Sequence, residues 1–350
     1  MYGLYQILYF TIIDIYNTMK TPFFIAVIAI IYFQYYKIGK LEKEVLEESR
    51  SALLKTIISA VFGIFGGIVV TIVFIYLGVA VDPKEFMYIL ISAIILSLIN
   101  PRYMCFAYAG GLLSLSNIVF DYPKIDVKQI MAIVAVLHMI ESILVFLDGN
   151  SSNLPTYYNK GELIGGFNMN RFWPIPFVVF LGDDLIRPIT LMEIISYGDF
   201  TVSSYPRIKT IKTSILLFIY SSILLLLAMK LESGIIPAIF AIVGHEFIIL
   251  MNQYREKKRT PLFTIPRKGT RILGVKPRSV GKTLGLKTGD ILISINEIRI
   301  WSKRDLHDLT YMNPKEYRIR YFNHKTGIKH KIYRGKRKTL GLVLLPRVLD

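Results

Sequence analysis

Seven stretches of this sequence are apolar over roughly the length that a helix needs to cross a bilayer, about 20 residues: 22–38, 54–81, 85–98, 103–120, 130–147, 214–229 and 235–251. No other feature limits the fold so strongly. With 53% hydrophobic residues and a mean hydropathy of +0.46, the 350-residue chain is too apolar for an ordinary soluble protein. The expected fold class is an α-helical polytopic membrane bundle of about seven spans with interfacial or re-entrant segments, over residues 1–257. A small α+β unit, an open barrel, follows over residues 258–350. Gly63, Gly66 and Gly67 on the second span suit close approach of another helix, or simply a long tilted helix. The segment 2–18 is apolar but carries Asp14, which costs about 2.5–3.5 kcal/mol at a bilayer centre, so it reads as an interfacial helix. It lacks the basic start and cleavage site of a signal peptide. Pro174, Pro176, Asp183, Asp184 and Arg187 interrupt 172–188, which reads as re-entrant or interfacial. The single cysteine, Cys105, can form no internal disulfide.

Charge is unevenly spread. Of 42 Lys/Arg and 25 Asp/Glu, 25 and 7 lie from Asn252 onward, leaving 17 against 18 before it. A basic unit tethered to a membrane points to anionic lipid headgroups or a partner protein, and no motif points to nucleic acid. Lys37, Lys40, Lys43, Arg50 and Lys55 make the first connection cytoplasmic. Parity over seven spans then leaves the C-terminal unit inside, provided that 172–188 does not cross.

After Arg267 the long apolar runs give way to short alternating ones. Strands are expected at 271–275, 291–295, 317–321, 328–333 and 340–345, and a short helix at 305–311. The run Gly285-Leu286-Lys287-Thr288-Gly289-Asp290-Ile291-Leu292-Ile293-Ser294-Ile295-Asn296 resembles the signature of bacterial PDZ domains. Leu286 would cap the core, Gly289 permit the turn, Asp290 bond turn amides, and Ile291, Ile293 and Ile295 alternate inward. Gly285 and Asn296 complete the motif. Ser279-Val280-Gly281 and Asn296-Glu297 depart from the usual turn residues. The resemblance implies that an extended peptide adds to a sheet edge beside a helix. Candidate groove residues are Leu340, Gly341, Leu342 and Val343, or the strand with Ile272 and Leu273, together with Leu306 and Leu309 on the helix.

Ionisable residues at membrane depth are rare and often functional. Arg102, His138, Glu141, His245 and Glu246 form an expected intramembrane polar cluster, read first as inter-helix hydrogen bonding. The competing reading is a site-2-type intramembrane metalloprotease, active or degenerate. His245-Glu246-Phe247-Ile248-Ile249 begins a His-Glu-x-x-His motif, but Ile249 stands where the second zinc ligand belongs. No metal, cofactor or catalytic residue is therefore expected.

Further motifs span the membrane half: Arg102-Tyr103-Met104-Cys105-Phe106-Ala107-Tyr108-Ala109-Gly110-Gly111, Leu137-His138-Met139-Ile140-Glu141-Ser142, Gly165-Gly166-Phe167, Phe172-Trp173-Pro174-Ile175-Pro176, and Gly244-His245-Glu246 followed by Glu256 and Pro261-Leu262-Phe263. In this order, with the terminal unit, they resemble the MinJ family of Gram-positive bacteria. The resemblance implies a non-catalytic adaptor for division-site placement. It would lie in the plasma membrane, enriched at septum and poles, and bridge DivIVA-like and MinD-like proteins through a cytoplasmic PDZ domain. A homo-oligomer is compatible with it. The Ile-, Lys- and Tyr-rich composition suits a Firmicute.

Overall fold

The computed structural model describes residues 4–46, 51–80, 82–181, 187–312, 315–335 and 339–345. The membrane part comprises α1 (Leu4–Thr18), α2 (Pro22–Leu46), α3 (Ala52–Leu77), α4 (Pro83–Ile99), a 3-10 turn at Pro101–Met104, α5 (Phe106–Phe120) and α6 (Val127–Asp148). Three strands follow, β1 (Asn153–Asn159), β2 (Leu163–Leu181) and β3 (Arg187–Thr201), then α7 (Pro206–Lys230) and α8 (Ile235–Lys258). Helix α6 is the hub, with Ile130 to Leu137 continuously buried. Helices α2, α3, α7 and α8 turn large apolar side chains outward, among them Phe33, Val61, Ile219 and Phe247. Such faces suit lipid as the surrounding solvent.

Among the described residues, five helices are long and apolar enough to cross a membrane: α2, α3, α6, α7 and α8. The expectation of seven spans is corrected at 85–98 and 103–120. There α4 and α5 have 17 and 15 residues, or about 25 and 22 Å of rise, against a hydrocarbon core of about 30 Å. The cause is local: Asn100 ends α4 in an extended conformation and its side chain caps the turn that Pro101 begins. Arg102, on that turn, reaches Glu246 at the midpoint of α8. The α4–turn–α5 hairpin thus has its tip level with the middle of α8.

The segment 172–188, expected to be re-entrant or interfacial, is built of strands in its described part. That part belongs to the long antiparallel hairpin of β2 and β3, paired from Phe167↔Thr201 to Leu181↔Arg187; Asp183 and Asp184 lie outside the described residues. The chain enters and returns on one side, so the hairpin adds no crossing. It packs along α3, where Gly63 and Gly67 admit this strand and Gly66 faces Ile140 and Leu144 of helix α6. A Cβ on Gly63 would stand 1.9 Å from the Pro174 carbonyl oxygen, and one on Gly67 1.8 Å from that of Pro176. Beyond Met169, where the pairing with β1 ends, no strand among the described residues lies along this edge of β2, so each outward N–H needs another partner. Phe172 N donates to the Tyr35 hydroxyl at 3.2 Å and Val178 N to Thr71 Oγ1 at 2.9 Å. Between them stand Pro174 and Pro176, which have no N–H to satisfy.

Ion pairs gather at the base of the hairpin. Lys55 pairs with Glu42, and Arg171 with Asp148, all four buried. Trp173 Nε1 also donates to Asp148, at 2.9 Å. Lys209 lies 3.6 Å from Asp199 and 3.5 Å from Glu256. Glu256 accepts from Val202 N and Ser203 N.

The C-terminal unit holds β4 (Phe263–Thr264), β5 (Thr270–Val275), α9 (Val280–Thr283), β6 (Ile291–Ile295), α10 (Lys303–Tyr311), β7 (Tyr317–Asn323), β8 (Gly327–Tyr333) and β9 (Leu342–Leu345). Strand β4 pairs with β2, at Ile164↔Thr264, so the two parts share a sheet. The other strands form an antiparallel sheet ordered β8-β7-β6-β5-β9. Both faces of β9 are covered: Leu342 and Leu344 face the unit's own core. Val343 and Leu345 join Leu273, Phe167 and Phe263 in a cluster that also takes in Leu46 of α2. The inward alternation of Ile291, Ile293 and Ile295 is corrected. A register shift between Leu292 and Ser294 leaves Leu292 and Ile295 buried and Ile291 and Ile293 half-buried, because a bulge inserts a residue into the alternation.

Candidate functional site

The signature residues of the C-terminal unit occupy turns. Gly285 and Gly289 have φ of +71° and +96°, where a side chain would be strained. Asp290 is buried and accepts from Lys287 N at 2.9 Å and Asn323 Nδ2 at 2.6 Å. Leu286 lies in the core. Asn296, itself at φ +48°, bonds the backbone of Glu316 and Arg318.

A groove of 100 Å³ runs between β9 and α10. Leu340, Gly341, Leu342 and Val343 line it, with Leu306, His307 and Thr310 opposite. Of the expected groove residues, Ile272 and Leu309 are instead buried in the unit's core, and Leu273 packs toward the membrane part. In the sheet, β9 is an edge strand and β5 is interior. The membrane part closes one end of the groove through Leu46 and Tyr157, whose hydroxyl donates to the Leu344 carbonyl at 3.0 Å.

A second and larger cavity, of 380 Å³, lies inside the bundle. It is bounded by the tip of the α4–α5 hairpin, the middle of α6 and α8, and the stretch of β3 from Glu193 to Phe200, and it extends to Asn252 and Gln253. The five residues of the expected polar cluster separate here into two groups. Arg102 pairs with Glu246, and Tyr108 Oη donates to the other oxygen of that carboxylate at 2.6 Å. His138 and His245 turn instead to Cys105. The Cys105 Sγ lies 3.0 Å from His138 Nε2 and 3.7 Å from His245 Nε2, and the three donor atoms all fall within 4.8 Å of one another. Glu141 Oε2 stands 3.9 Å from His138 Nε2. Across the cavity Glu193 has a buried Oε2 without a hydrogen-bond partner among the described residues.

Local structure aims these groups. Cys105 is the N-cap of α5, and its sulfur accepts from Ala107 N at 3.4 Å. The His138 Nδ1 sits 2.7 Å from the Val134 carbonyl one turn earlier, which makes that nitrogen the donor and leaves Nε2 its lone pair. Sequence reasoning did not single out Cys105 or Glu193. The donors come from three different helices, so no short spacing joins them. The only signal available was a cysteine three residues after an arginine inside an apolar run.

No protein-family model matches the chain, and comparison with curated proteins and with solved structures finds no match.

Proposed function

We propose that this chain is a membrane adaptor whose C-terminal unit is PDZ-like and captures the extended tail of a partner protein. The observation that carries the reading is the groove between edge strand β9 and α10. An edge strand beside a helix lets an incoming strand gain main-chain hydrogen bonds while side-chain pockets select its sequence. Gly341, at φ +63°, turns the chain into β9. A would-be Cβ there would stand 2.3 Å from that of Ser279, so only glycine fits the mouth. The bundle confines the groove to two dimensions, and that confinement raises effective concentration enough for weak peptide binding to matter. The resemblance to MinJ proteins supplies the context: division-site placement in a Gram-positive plasma membrane, with the groove inside the cell and DivIVA-like and MinD-like proteins as partners.

A fluorescent fusion tests this. The full chain should concentrate at septum and poles, and L306R, which puts a charge into the groove, should spread evenly while staying in the membrane. Even fluorescence of the unaltered fusion, with normal cell lengths on deletion, would refute the reading.

One observation favours a second reading, a metal-dependent intramembrane hydrolase: Cys105, His138 and His245 converge on a cavity that also holds Glu141. In that case Glu141 and not Glu246 is the base, because Arg102 and Tyr108 hold Glu246. An E141Q strain whose membrane proteome matches wild type would dispose of it.

A further inference from the structure

We infer that Cys105, His138 and His245 bind one zinc ion, with a fourth coordination position open to the cavity inside the bundle. The inference is independent of the adaptor reading. Zinc in a tetrahedral site has Zn–N of about 2.0–2.1 Å and Zn–S of about 2.3 Å, which puts neighbouring donor atoms about 3.3–3.6 Å apart. The separations of 3.0 and 3.7 Å bracket that range. Thiolate and imidazole are the donors that zinc takes in closed and open sites alike, and three protein ligands leave one position exchangeable.

A hydrogen-bonded thiol is the competing explanation: its S–H would serve His138 Nε2 and its sulfur would accept from His245 Nε2 over the longer separation, which leaves the second nitrogen of His245 unused. His245 is nine-tenths buried, and its Nδ1 has no hydrogen-bond partner among the described residues. Its other nitrogen, Nε2, faces the sulfur at 3.7 Å. A metal ion at the centre would use the lone pairs of both imidazoles and the thiolate together. The surroundings also suit an ion. The bond from His138 Nδ1 to the Val134 carbonyl is the outer-shell contact that orients a metal-bound imidazole. Charge points the same way: Glu141 and Glu193 face this cavity, and among the described residues neither pairs with a lysine or arginine. A divalent cation beside them would offset two half-buried carboxylates.

The test uses the full-length, tag-free chain in detergent, kept reduced, stripped of metal, then loaded with zinc and desalted. Elemental analysis should find about one zinc per chain. C105S, H138Q and H245Q should each lower occupancy at limiting zinc by at least about tenfold, while E246Q, outside the donor set, retains the metal. Each variant is compared by size-exclusion profile and limited proteolysis, so that loss of metal is separated from loss of fold. Cobalt loaded in place of zinc should show the visible bands of a four-coordinate ion and a thiolate charge-transfer band that C105S lacks. Azide should shift the visible bands by entering the open position. A monodisperse wild type that holds no stoichiometric zinc would overturn the inference. So would zinc retained equally in all three ligand variants, copper in place of zinc, or cobalt bands that ignore azide.

Discussion

At the scale of single residues, the buried charges decide what can be changed. Arg171 and Asp148 are almost wholly enclosed, and Trp173 Nε1 shares the carboxylate. Truncating one partner of such a pair leaves an uncompensated charge and typically costs about 3–5 kcal/mol. D148A should therefore lower the thermal unfolding midpoint in detergent sharply, and D148L combined with R171M should recover much of the loss. Glu316 gives the opposite case. It is half-buried near the surface, and hydrogen bonds from Arg334 and Arg318 hold its carboxyl below the usual carboxylate range. Its folded pKa is thus depressed, so the stabilisation is complete above the ordinary glutamate pKa. It is lost as pH falls through the depressed value. Acid titration of unfolding should show a small decline in that window for the wild type and none of that component for E316Q.

At the scale of elements, close contact between α3 and β2 makes sharp demands. Alanine in place of Gly67 would set its Cβ 1.8 Å from a backbone oxygen, which cannot rotate away. Overpacking of this kind costs about 1–3 kcal/mol, occasionally more. At Gly66 the nearest atom is a side-chain methyl carbon, Ile140 Cγ2, at 3.1 Å, which has to give by only a few tenths of an ångström, and alanine favours the helix by about 1 kcal/mol. G67A should destabilise the protein while G66A is near neutral, as thermal unfolding or proteolysis of the two variants would read out. P176A restores an N–H on the edge of β2 that faces α3, where the ring nitrogen is 3.4 Å from a would-be Cβ on Gly67. A buried donor left unsatisfied costs about 1–3 kcal/mol, so this variant should also melt earlier.

The long helices α2, α3, α6, α7 and α8 were legible in the sequence because their apolar runs are continuous. The strands of the terminal unit were legible because they are short and bounded by turn residues. The β2–β3 hairpin was not. Its apolar content reads like a membrane segment, while Pro174 and Pro176 read like breakers. Only the fold reveals that prolines suit a strand edge turned toward a helix. The halting of α4 at Asn100 was hidden for a similar reason, since hydropathy does not register where a helix stops in depth. At the site, the polar cluster was found by type, but its division into an ion pair and a donor triad depends on three-dimensional placement.

At the scale of the whole molecule, charge and anchoring act together. With 25 Lys/Arg against 7 Asp/Glu beyond residue 251, the terminal unit should draw toward anionic headgroups at about 1 kcal/mol for each basic residue near the surface. Full-length protein in nanodiscs should bind vesicles rich in phosphatidylglycerol and release them as salt rises. Salt-independent binding would mean that headgroup charge is not what is recognised. The chain also couples its two parts firmly: β4 joins the first sheet, and Phe263, Leu273 and Val343 pack with Phe167 between them. A disturbance at the terminal groove is therefore mechanically connected to the base of the hairpin. The proline-studded margin of β2 has one more consequence, for traffic between copies. With the Phe172 and Val178 donors occupied, Pro174 and Pro176 lacking theirs, and α3 pressed along it, that stretch of the margin offers little for a neighbouring chain to zip onto within the lipid. Dense expression should leave the bundle unaggregated through that side. Any strand the hairpin does admit has only the bare flank of β3 to join, alongside the cysteine and the two histidines.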